Sequence, residues 1–491
     1  MLRFFLLWLA LAVLPPANAA QAPEPSAAAK TAWGFDRSDL TPHPEVRFGV
    51  LGNGMRYAVM QSAVPAGGIS VRLRLDGGSS VEGDRELGFM HLVEHMIFHG
   101  SANLPEGALP LMLRHQGLRR WSDFNAFTSF DETVYRLDLA KSDGRARETA
   151  MVLMREIASN LRFNRTAVEG AKKNVREEIR GRNAVEDRLA AAQNAFFAPG
   201  TPIARGPVAG TEGSVRRANG EALRRLYERY YTPRRATLVV VGDFDPAAVE
   251  AEIQARFSDW RTGEHPEPKR RVPFLRSDRG TQAHLFVDPA APTIVTITTV
   301  SPLASSGDAS TGRDSYFLEH LGSEMLNRRL ARIASRPDAP FSSADSAVYD
   351  HFATARLARI EVSAKERDWR SALRGGATEL RRALDHGFSQ AELDEQLAAS
   401  LAALAKDAAP QSSSALADAI VDAVARGIVF TAPADGSSTA AYLARVRLDQ
   451  VNAAFRAAWS SPNRLIFASH DRPIAKGDRQ LLEAWTTAAT D

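Results

Sequence analysis

The segment that decides the fold of this chain reads GFMHLVEHMIFH over residues 88–99. Its H-x-x-E-H pattern places His91 and His95 four residues apart, with Glu94 just before the second histidine. On a helix, residues four apart lie on one face, so both imidazoles would project to the same side. The neighbouring residues are apolar, which indicates a helix buried on most sides. Two imidazoles and a carboxylate are costly in such surroundings unless something satisfies them.

A metal ion would satisfy all three side chains. H-x-x-E-H is the inverted zincin motif, in which two histidines hold zinc and the glutamate is the general base. We therefore predict His91 and His95 as zinc ligands and Glu94 as the catalytic base; the alternative is a pair of structural core histidines. A third ligand is needed beside an open position for water. The charged helix around Glu177 and Glu178 is the obvious donor, although spacing alone does not choose the residue.

The composition of the 491 residues is that of an ordinary globular protein, with 44% hydrophobic and 24% charged residues. This length allows about two to four domains. The net charge of +3 is not concentrated in a long run, so nothing favours a nucleic-acid partner. The chain has no cysteine, which excludes disulfides, a thiolate metal site and a cysteine nucleophile.

The N-terminus is typical of a secretory signal. Arg3 precedes the apolar run Phe4–Leu14, and Ala17–Ala19 forms an A-x-A cleavage site. About 11 apolar residues are too few to span a bilayer, which needs about 20. We predict a signal peptide over residues 1–19, a partly disordered leader over 20–43, and no membrane span after cleavage. The mature protein would then be exported across the inner membrane, and periplasmic in a Gram-negative bacterium.

Alternating and apolar runs predict strands, and helical periodicity predicts helices, in two similar sets. In the first set the predicted strands are 46–50, 55–60, 70–75, 133–139 and 237–241, and the predicted helices are 108–115, 148–161, 166–182 and 222–231. In the second set the predicted strands are 283–287, 293–300 and 465–468, with strand-like alternation over 347–362, and the predicted helices are 315–333, 390–406 and 450–459.

The two sets predict a tandem domain organisation. A stretch rich in proline and charge, residues 264–275, separates them and is typical of a linker. Each set closes with a helix, a Thr-Pro or Ser-Pro pair and an apolar strand, which is a faint internal repeat. We predict two similar α+β domains, 44–263 and 276–491. The second lacks H-x-x-E-H, so its His320 is interpreted as a surface or structural residue.

Six segments occur in a specific order along the chain. They are LGNGMRY from Leu51, DGGS from Asp76, HLVEHMIFHGS from His91, NAFTSFDETVY from Asn125, VREEI from Val175 and YYTP from Tyr230. In this order they resemble the insulinase/pitrilysin family of zinc metallopeptidases, which includes the mitochondrial processing peptidases. The resemblance extends from about Pro44 to about Ser469. It implies that each domain is a mostly antiparallel sheet flanked by helices, and that the chain forms half of a peptidase clamshell.

The resemblance also implies a complete zinc site with one Zn²⁺ per chain. The family's third ligand is a Glu in the pattern V-x-x-E followed by an apolar residue, which here selects Glu178. A register shifted by one residue would select Glu177. Many members carry a supporting acid seven positions before the ligand, but this chain has Ala171 there, which departs from the pattern. His99, one turn after His95, is also unusual for the family and is interpreted as a bystander.

Asn125, Ala126 and Phe127 resemble the family's substrate edge strand. A peptide or unfolded segment would add to such a strand through backbone hydrogen bonds. The alternative for Asn125 is a turn-capping role.

The family's substrate clamp, an Arg and a Tyr seven residues apart, is missing from this chain. Ala334 and Phe341 stand at those positions, and Arg336 is out of register. Members of this size work as two-chain clamshells, so the resemblance implies a second peptidase-family subunit or a homodimer. We predict a zinc-dependent endopeptidase. The alternatives are a non-catalytic or partner-dependent scaffold subunit and a peptide-binding protein, which would not need Glu94.

Overall fold

Two β-sheets, one in each half of the chain, organise this protein. The structure is a computed structural model that describes residues 22–115, 124–182, 184–261, 275, 278–303, 308–406, 411–432 and 436–488. The predicted signal peptide, residues 1–19, and all of the predicted linker except Leu275 lie outside these ranges. Within the described part of the chain, none of the helices combines the length and apolarity needed to cross a membrane.

The first sheet has the strand order β1-β2-β6-β3-β5-β4. Its strands are β1 (Val46–Val50), β2 (Arg56–Gln61), β3 (Ile69–Leu75), β4 (Phe124–Thr128), β5 (Thr133–Leu139) and β6 (Ala236–Gly242). The β2–β6 pair is parallel, and the other neighbouring pairs are antiparallel. Strands β3 and β6 are buried along their whole length because both sheet faces are covered. Strand β4 lies at the edge, with β5 as its neighbour.

The second sheet repeats this arrangement with one strand fewer. Its strands are β7 (Thr281–Val287), β8 (Ile294–Ser301), β9 (Phe341–His351), β10 (Ala355–Ala364) and β11 (Arg464–His470). Their order is β7-β11-β8-β10-β9, with β7–β11 parallel and the other pairs antiparallel. The order matches that of β2 to β4 in the first sheet, which confirms the repeated, mostly antiparallel α+β fold.

Helices pack against both sheets. Those of the first half are α1 (Ala27–Trp33), α2 (Phe89–His95), α3 (Ala108–His115), α4 (Gly144–Ser159), α5 (Arg165–Gly181), α6 (Ala184–Phe197), α7 (Glu212–Arg217), α8 (Gly220–Tyr230) and α9 (Pro246–Phe257). Those of the second half are α10 (Ser310–Ala334), α11 (Trp369–His386), α12 (Gln390–Lys406), α13 (Ser413–Arg426), α14 (Gly436–Leu443), α15 (Leu448–Ala458) and α16 (Gly477–Ala488). The larger core lies between the first sheet and α2, α4, α5, α8 and α9, and its counterpart lies between the second sheet and α10, α11, α15 and α16.

The opposite face of each sheet is covered by a helix from the other half. Helix α13 places Ile420 and Val421 in a cluster with Val239 of the first sheet. Helix α6 places Phe197 beside Phe467 of the second sheet, with ring centroids 6.1 Å apart. The two predicted domains therefore exchange helices, and each half completes the packing of the other.

The predicted leader is more ordered than its composition suggests. Helix α1 is capped by Ser26, whose hydroxyl accepts a hydrogen bond from the Ala29 backbone. Trp33 donates from Nε1 to the Gly49 carbonyl at 3.0 Å and packs edge-on against Phe48. Part of the predicted leader is thus helical, because the aromatic residue just after the alanine-rich stretch anchors α1 to β1.

Candidate metal centre

Helix α2 presents the metal-binding motif, and Glu82 fixes the start of this helix. The helix begins after Gly88, whose φ of 85° favours glycine and which offers no side-chain cap. The buried Glu82 carboxylate caps the helix instead, accepting hydrogen bonds from the Gly88 and Met90 backbone at 2.9 and 2.7 Å. The helix N-terminus is therefore satisfied by a side chain six residues before it.

His91 and His95 lie side by side, as predicted. Their Nε2 atoms are 3.3 Å apart. Glu178 Oε2 lies 3.5 Å from His91 Nε2 and 3.4 Å from His95 Nε2. Three ligands of one tetrahedral zinc, each at about 2.0–2.1 Å, would stand about 3.3 Å from one another. The three donor atoms therefore fit a single zinc ion.

The protonation preference of His91 agrees with this fit. Burial is the main cause that lowers the pKa of His91 to about 4, and the neighbouring His95 adds to the effect. A neutral imidazole keeps a lone pair for a metal. His91 Nδ1 is buried and meets no hydrogen-bond partner among the described residues, so the acceptor that often orients a zinc-bound histidine is not provided there.

Glu178 reaches the histidines from helix α5, which begins at the side-chain cap Asn164. The adjacent Glu177 is exposed, so the structure brings Glu178, not Glu177, to the histidines. Burial acts to raise the pKa of Glu178, but hydrogen bonding with His95 and the charges of His91 and Arg182 lower it to about 2. The carboxylate is thus ionised, as a metal ligand must be.

Arg182 holds the other oxygen of Glu178. Its guanidinium pairs with Glu178 Oε1 from one turn further along, beyond the end of α5. The position of the family's supporting acid, Ala171, is fully buried and supplies no polar group. Glu178 is therefore oriented by a cation on its C-terminal side, a contact that the sequence reasoning missed.

Glu94 lies beside the two histidines with little exposure to solvent. The ligand-capable atoms of His91, Glu94 and His95 all lie within 4.8 Å of one another. Thr128 of β4 donates a hydrogen bond from Oγ1 to Glu94 Oε2 at 2.6 Å. Burial raises the pKa of Glu94 to about 7, although the hydrogen bond from Thr128 opposes the shift. Because Glu94 is engaged by Thr128 and Glu178 touches both imidazoles, Glu178 is the better third ligand.

The predicted edge strand lies next to this centre. Asn125, Ala126 and Phe127 lie in β4, which pairs with β5 on one side and forms the edge of the sheet. Ala126 packs against the core, whereas Phe127 is 41% exposed. Asn125 Oδ1 accepts a hydrogen bond from the Ala126 backbone at 2.9 Å, so its side chain is engaged locally. Thr128 shares the inward face with Ala126, two residues away, and strand alternation alone could have identified it.

His99 and the two positions of the missing clamp, Ala334 and Phe341, pack against neighbouring elements of the fold. His99 Nε2 is 3.2 Å from Asn174 Nδ2, and its ring packs so closely on α5 that a Cβ on Gly170 would come within 2.5 Å of it. Phe341 is fully buried in the second core, and Ala334 ends α10. These two positions offer no polar side chain to a substrate.

Two family models match this chain. Insulinase (Peptidase family M16) matches residues 57–202, which contain all the residues of the metal centre. Peptidase M16 inactive domain matches residues 217–400. Among the curated relatives, the probable zinc protease PqqL of Haemophilus influenzae is 31% identical over 222 residues, and PqqL of Escherichia coli is 32% identical over 211 residues. These matches cover 45% and 43% of this chain, but only 24% and 23% of the relatives.

Solved structures show the same fold. The crystal structure of the first half of the periplasmic protease PqqL from Escherichia coli has a TM-score of 0.79 at 21% identity, covering 92% of this chain and 98% of that chain. The crystal structure of the periplasmic protease PqqL from the same organism has a TM-score of 0.80, and this chain covers 51% of that chain. The chain thus spans about half of that protease.

Proposed function

This chain belongs to the insulinase (M16) family of peptidases, and from that premise we propose that it is a zinc-dependent endopeptidase acting on peptides or unfolded polypeptide segments. One observation carries the proposal. His91 Nε2, His95 Nε2 and Glu178 Oε2 lie 3.3–3.5 Å from one another, which suits one zinc ion per chain. The buried carboxylate of Glu94 stands beside them as the base.

In the proposed mechanism the chain supplies the ligands and the proton carrier. When bound, zinc would lower the pKa of a water molecule and polarise the scissile carbonyl. Glu94 accepts the proton of the attacking water and transfers it to the leaving amine nitrogen. Thr128 holds Oε2 of Glu94, which leaves Oε1 to carry the proton. The pKa of about 7 suits a group that must both accept and release a proton near neutral pH.

The substrate would bind as an additional strand along β4. An edge strand presents unpaired backbone groups, and a peptide that pairs with them is held with little dependence on its sequence. Asn125 and Phe127 face outward there, so they are the side chains of β4 that a bound peptide would meet. Ala126 and Thr128 face the metal helix, so such a strand would run beside Glu94.

We propose export and a second subunit on separate grounds. The signal-like N-terminus and the periplasmic location named for the structural relative support an exported protein. The chain spans about half of that protease, and Ala334 and Phe341 cannot clamp a substrate. A homodimer or a related subunit would supply what this half lacks.

A scaffold role is the second candidate, because the clamp and the supporting acid are both missing from this chain. The test uses the protein from Ala20 onward, its measured zinc content and the cleavage of an unstructured fluorogenic peptide. About one zinc per chain is expected, with hydrolysis falling at least about 100-fold in Glu94→Gln. Glu177→Gln, a change at an exposed neighbour of the ligand, is the matched control and should cleave normally.

Each outcome separates the two roles. Zinc binding without cleavage in the unmodified protein, alone and with a related subunit added, would favour the scaffold. A chain that binds no zinc would refute the ligand assignment.

A further inference from the structure

The turn between β9 and β10 has a backbone that its residues rarely adopt. Thr354 N donates to His351 O at 3.1 Å, which closes a four-residue turn. Its two central residues, Phe352 and Ala353, have φ values of 47° and 42°. Positive φ at both positions defines a type I′ turn, which strongly prefers Asn-Gly. A bulky phenylalanine in the left-handed region is an outlier that invites a functional explanation.

The unusual backbone points Phe352 into the other half of the chain. The Phe352 ring packs edge-on against Phe130, with centroids 4.7 Å apart. His351 Nε2 lies 2.8 Å from Asn194 Oδ1 on α6, which fixes the base of the turn. Phe130 is buried, and this contact is part of the cluster between the halves. The second half thus touches the first at Phe130.

Phe130 belongs to the turn that follows the edge strand. Ser80 N donates to the Phe130 carbonyl at 2.9 Å, and Ser79 N donates to the Ser129 carbonyl at 3.0 Å. The two loops meet so closely that a Cβ on Gly78 would lie 2.2 Å from Ser129 O. Any movement of this turn must therefore also move the loop that leads toward α2.

The same turn lies directly after Thr128, which pairs with Thr133 of β5. Thr128 lies two residues before Phe130 and holds the Glu94 carboxylate at 2.6 Å. Two contacts, Phe352 with Phe130 and Thr128 with Glu94, are therefore joined by the short covalent segment 128–130. A displacement of about 1 Å at such a distance from the reacting atoms can cost about 100-fold in rate.

We propose that Phe352 is a positioning residue, through which the second half holds the end of β4 and so aligns Glu94. This inference rests on the proposed peptidase function. Phe352→Asn tests it, because asparagine tolerates the left-handed backbone but removes the ring. Lys476→Asn is the matched control, since Lys476 also has a positive φ, 53°, and is an exposed residue just before α16.

Activity is measured per zinc-loaded, folded chain. We expect Phe352→Asn to lower kcat about tenfold with unchanged KM and zinc content, and Lys476→Asn to leave both parameters unchanged. Combining Phe352→Asn with Phe130→Ala should lower kcat no further than the single changes do, because both act through one contact. A purely structural role would lower the melting temperature but leave kcat per folded chain at the control value, and that result would overturn the proposal.

Amide hydrogen exchange makes the test independent of hydrolysis. The Ser79 and Ser80 amides donate to the turn at Ser129 and Phe130, so they should exchange about tenfold faster in Phe352→Asn than in Lys476→Asn. Unchanged exchange would overturn the positioning role. If the unmodified protein cleaves no peptide but Phe352→Asn still shows the faster exchange, only the proposed function is refuted.

Discussion

At the residue scale, two adjacent carboxylates have different environments. Glu178 contacts both imidazoles, whereas its neighbour Glu177 is exposed. Neighbouring residues on a helix point about 100° apart, so only one of the two can face α2. We predict that Glu178→Gln weakens zinc binding by more than about 100-fold, since loss of a ligand should exceed the 10–100-fold effect of an outer-shell change. Competition with a chromogenic chelator measures it.

Glu177→Gln serves as the control for that measurement. It removes the same charge from the adjacent residue. It should leave zinc affinity within about twofold of that of the unmodified protein, as expected for an exposed side chain. The reverse result, with Glu177→Gln as the weaker binder, would place Glu177 in the ligand set.

Thr128 contributes a single hydroxyl to the catalytic base. Thr128→Val keeps the side-chain shape but removes the hydrogen bond to Glu94. A hydrogen bond to a charged group contributes about 1.5–3 kcal/mol, so we expect kcat to fall roughly 10- to 100-fold with zinc content unchanged. Steady-state cleavage of a fluorogenic peptide measures it. Thr149→Val, at a hydroxyl that donates to the Arg145 carbonyl within α4, should have no effect; equal losses in the two variants would contradict the role of Thr128.

At the element scale, local patterns predicted most of the structure that carries the site. The predicted bounds of β1, α3 and β5 coincide with those observed, because alternation or helical periodicity is uninterrupted there. The helix predicted over 390–406 also forms as α12, and its start is closed by a capping box in which the Ser389 backbone donates to Glu392 at 2.8 Å. Short-range rules sufficed because each of these signals lies within a few residues of the structure it determines.

Contacts between distant segments could not be predicted in this way. The sequence alone left Glu177 and Glu178 open as the third ligand, because the choice depends on how α5 faces α2 in space. The exchange of α6 and α13 between the halves was also missed. Each is an ordinary amphipathic or alanine-rich helix, and its sequence does not indicate which of the two sheets it packs against. Glu82 was missed for the same reason, whereas strand alternation could have identified Thr128.

Glu82 provides the prediction at this scale, because it stabilises the start of α2. This helix has seven residues, and its two bonds to the Glu82 carboxylate satisfy backbone groups that would otherwise be buried without acceptors. We expect Glu82→Ala to destabilise the protein by about 1–3 kcal/mol and to weaken zinc binding as α2 frays. Chemical denaturation of the metal-free protein gives the first effect. Glu228→Ala, at an exposed position on α8, should stay within about 0.5 kcal/mol of the unmodified protein.

At the scale of the whole molecule, the two halves are joined by a buried arginine. Arg72 of β3 is fully buried and bonds Asp138 of β5 at 2.8 Å and Asp418 of α13 at 2.7 Å. Its Nη2 also donates to Ser414 of α13 at 2.7 Å. A buried guanidinium must keep such partners, because an unpaired buried charge is strongly destabilising. The exchanged helix α13 is therefore held to the first sheet by charge as well as by apolar packing.

This junction makes the stability of the protein depend on pH. Burial acts to raise the pKa of Asp138, but hydrogen bonds and the charge of Arg72, with bonds from Ser70 and Ser414, outweigh it and lower the pKa. An acid whose pKa is lowered on folding stabilises the protein above its unfolded pKa of about 3.9, and this contribution is lost as pH falls through the folded value.

We expect Asp138→Asn to lower the free energy of unfolding by about 1 kcal/mol at pH 7, a value discounted because about a third of the Asp138 side chain is exposed. In urea denaturation the difference from the unmodified protein should begin to shrink as the pH is lowered below about 4, and it should vanish below the lowered pKa of Asp138, where both proteins carry a neutral group. Asp84→Asn, at a side chain that is 93% exposed, controls for general charge effects; a difference for Asp138→Asn that persists undiminished at the lowest pH would show that the ionised carboxylate does not hold the halves together.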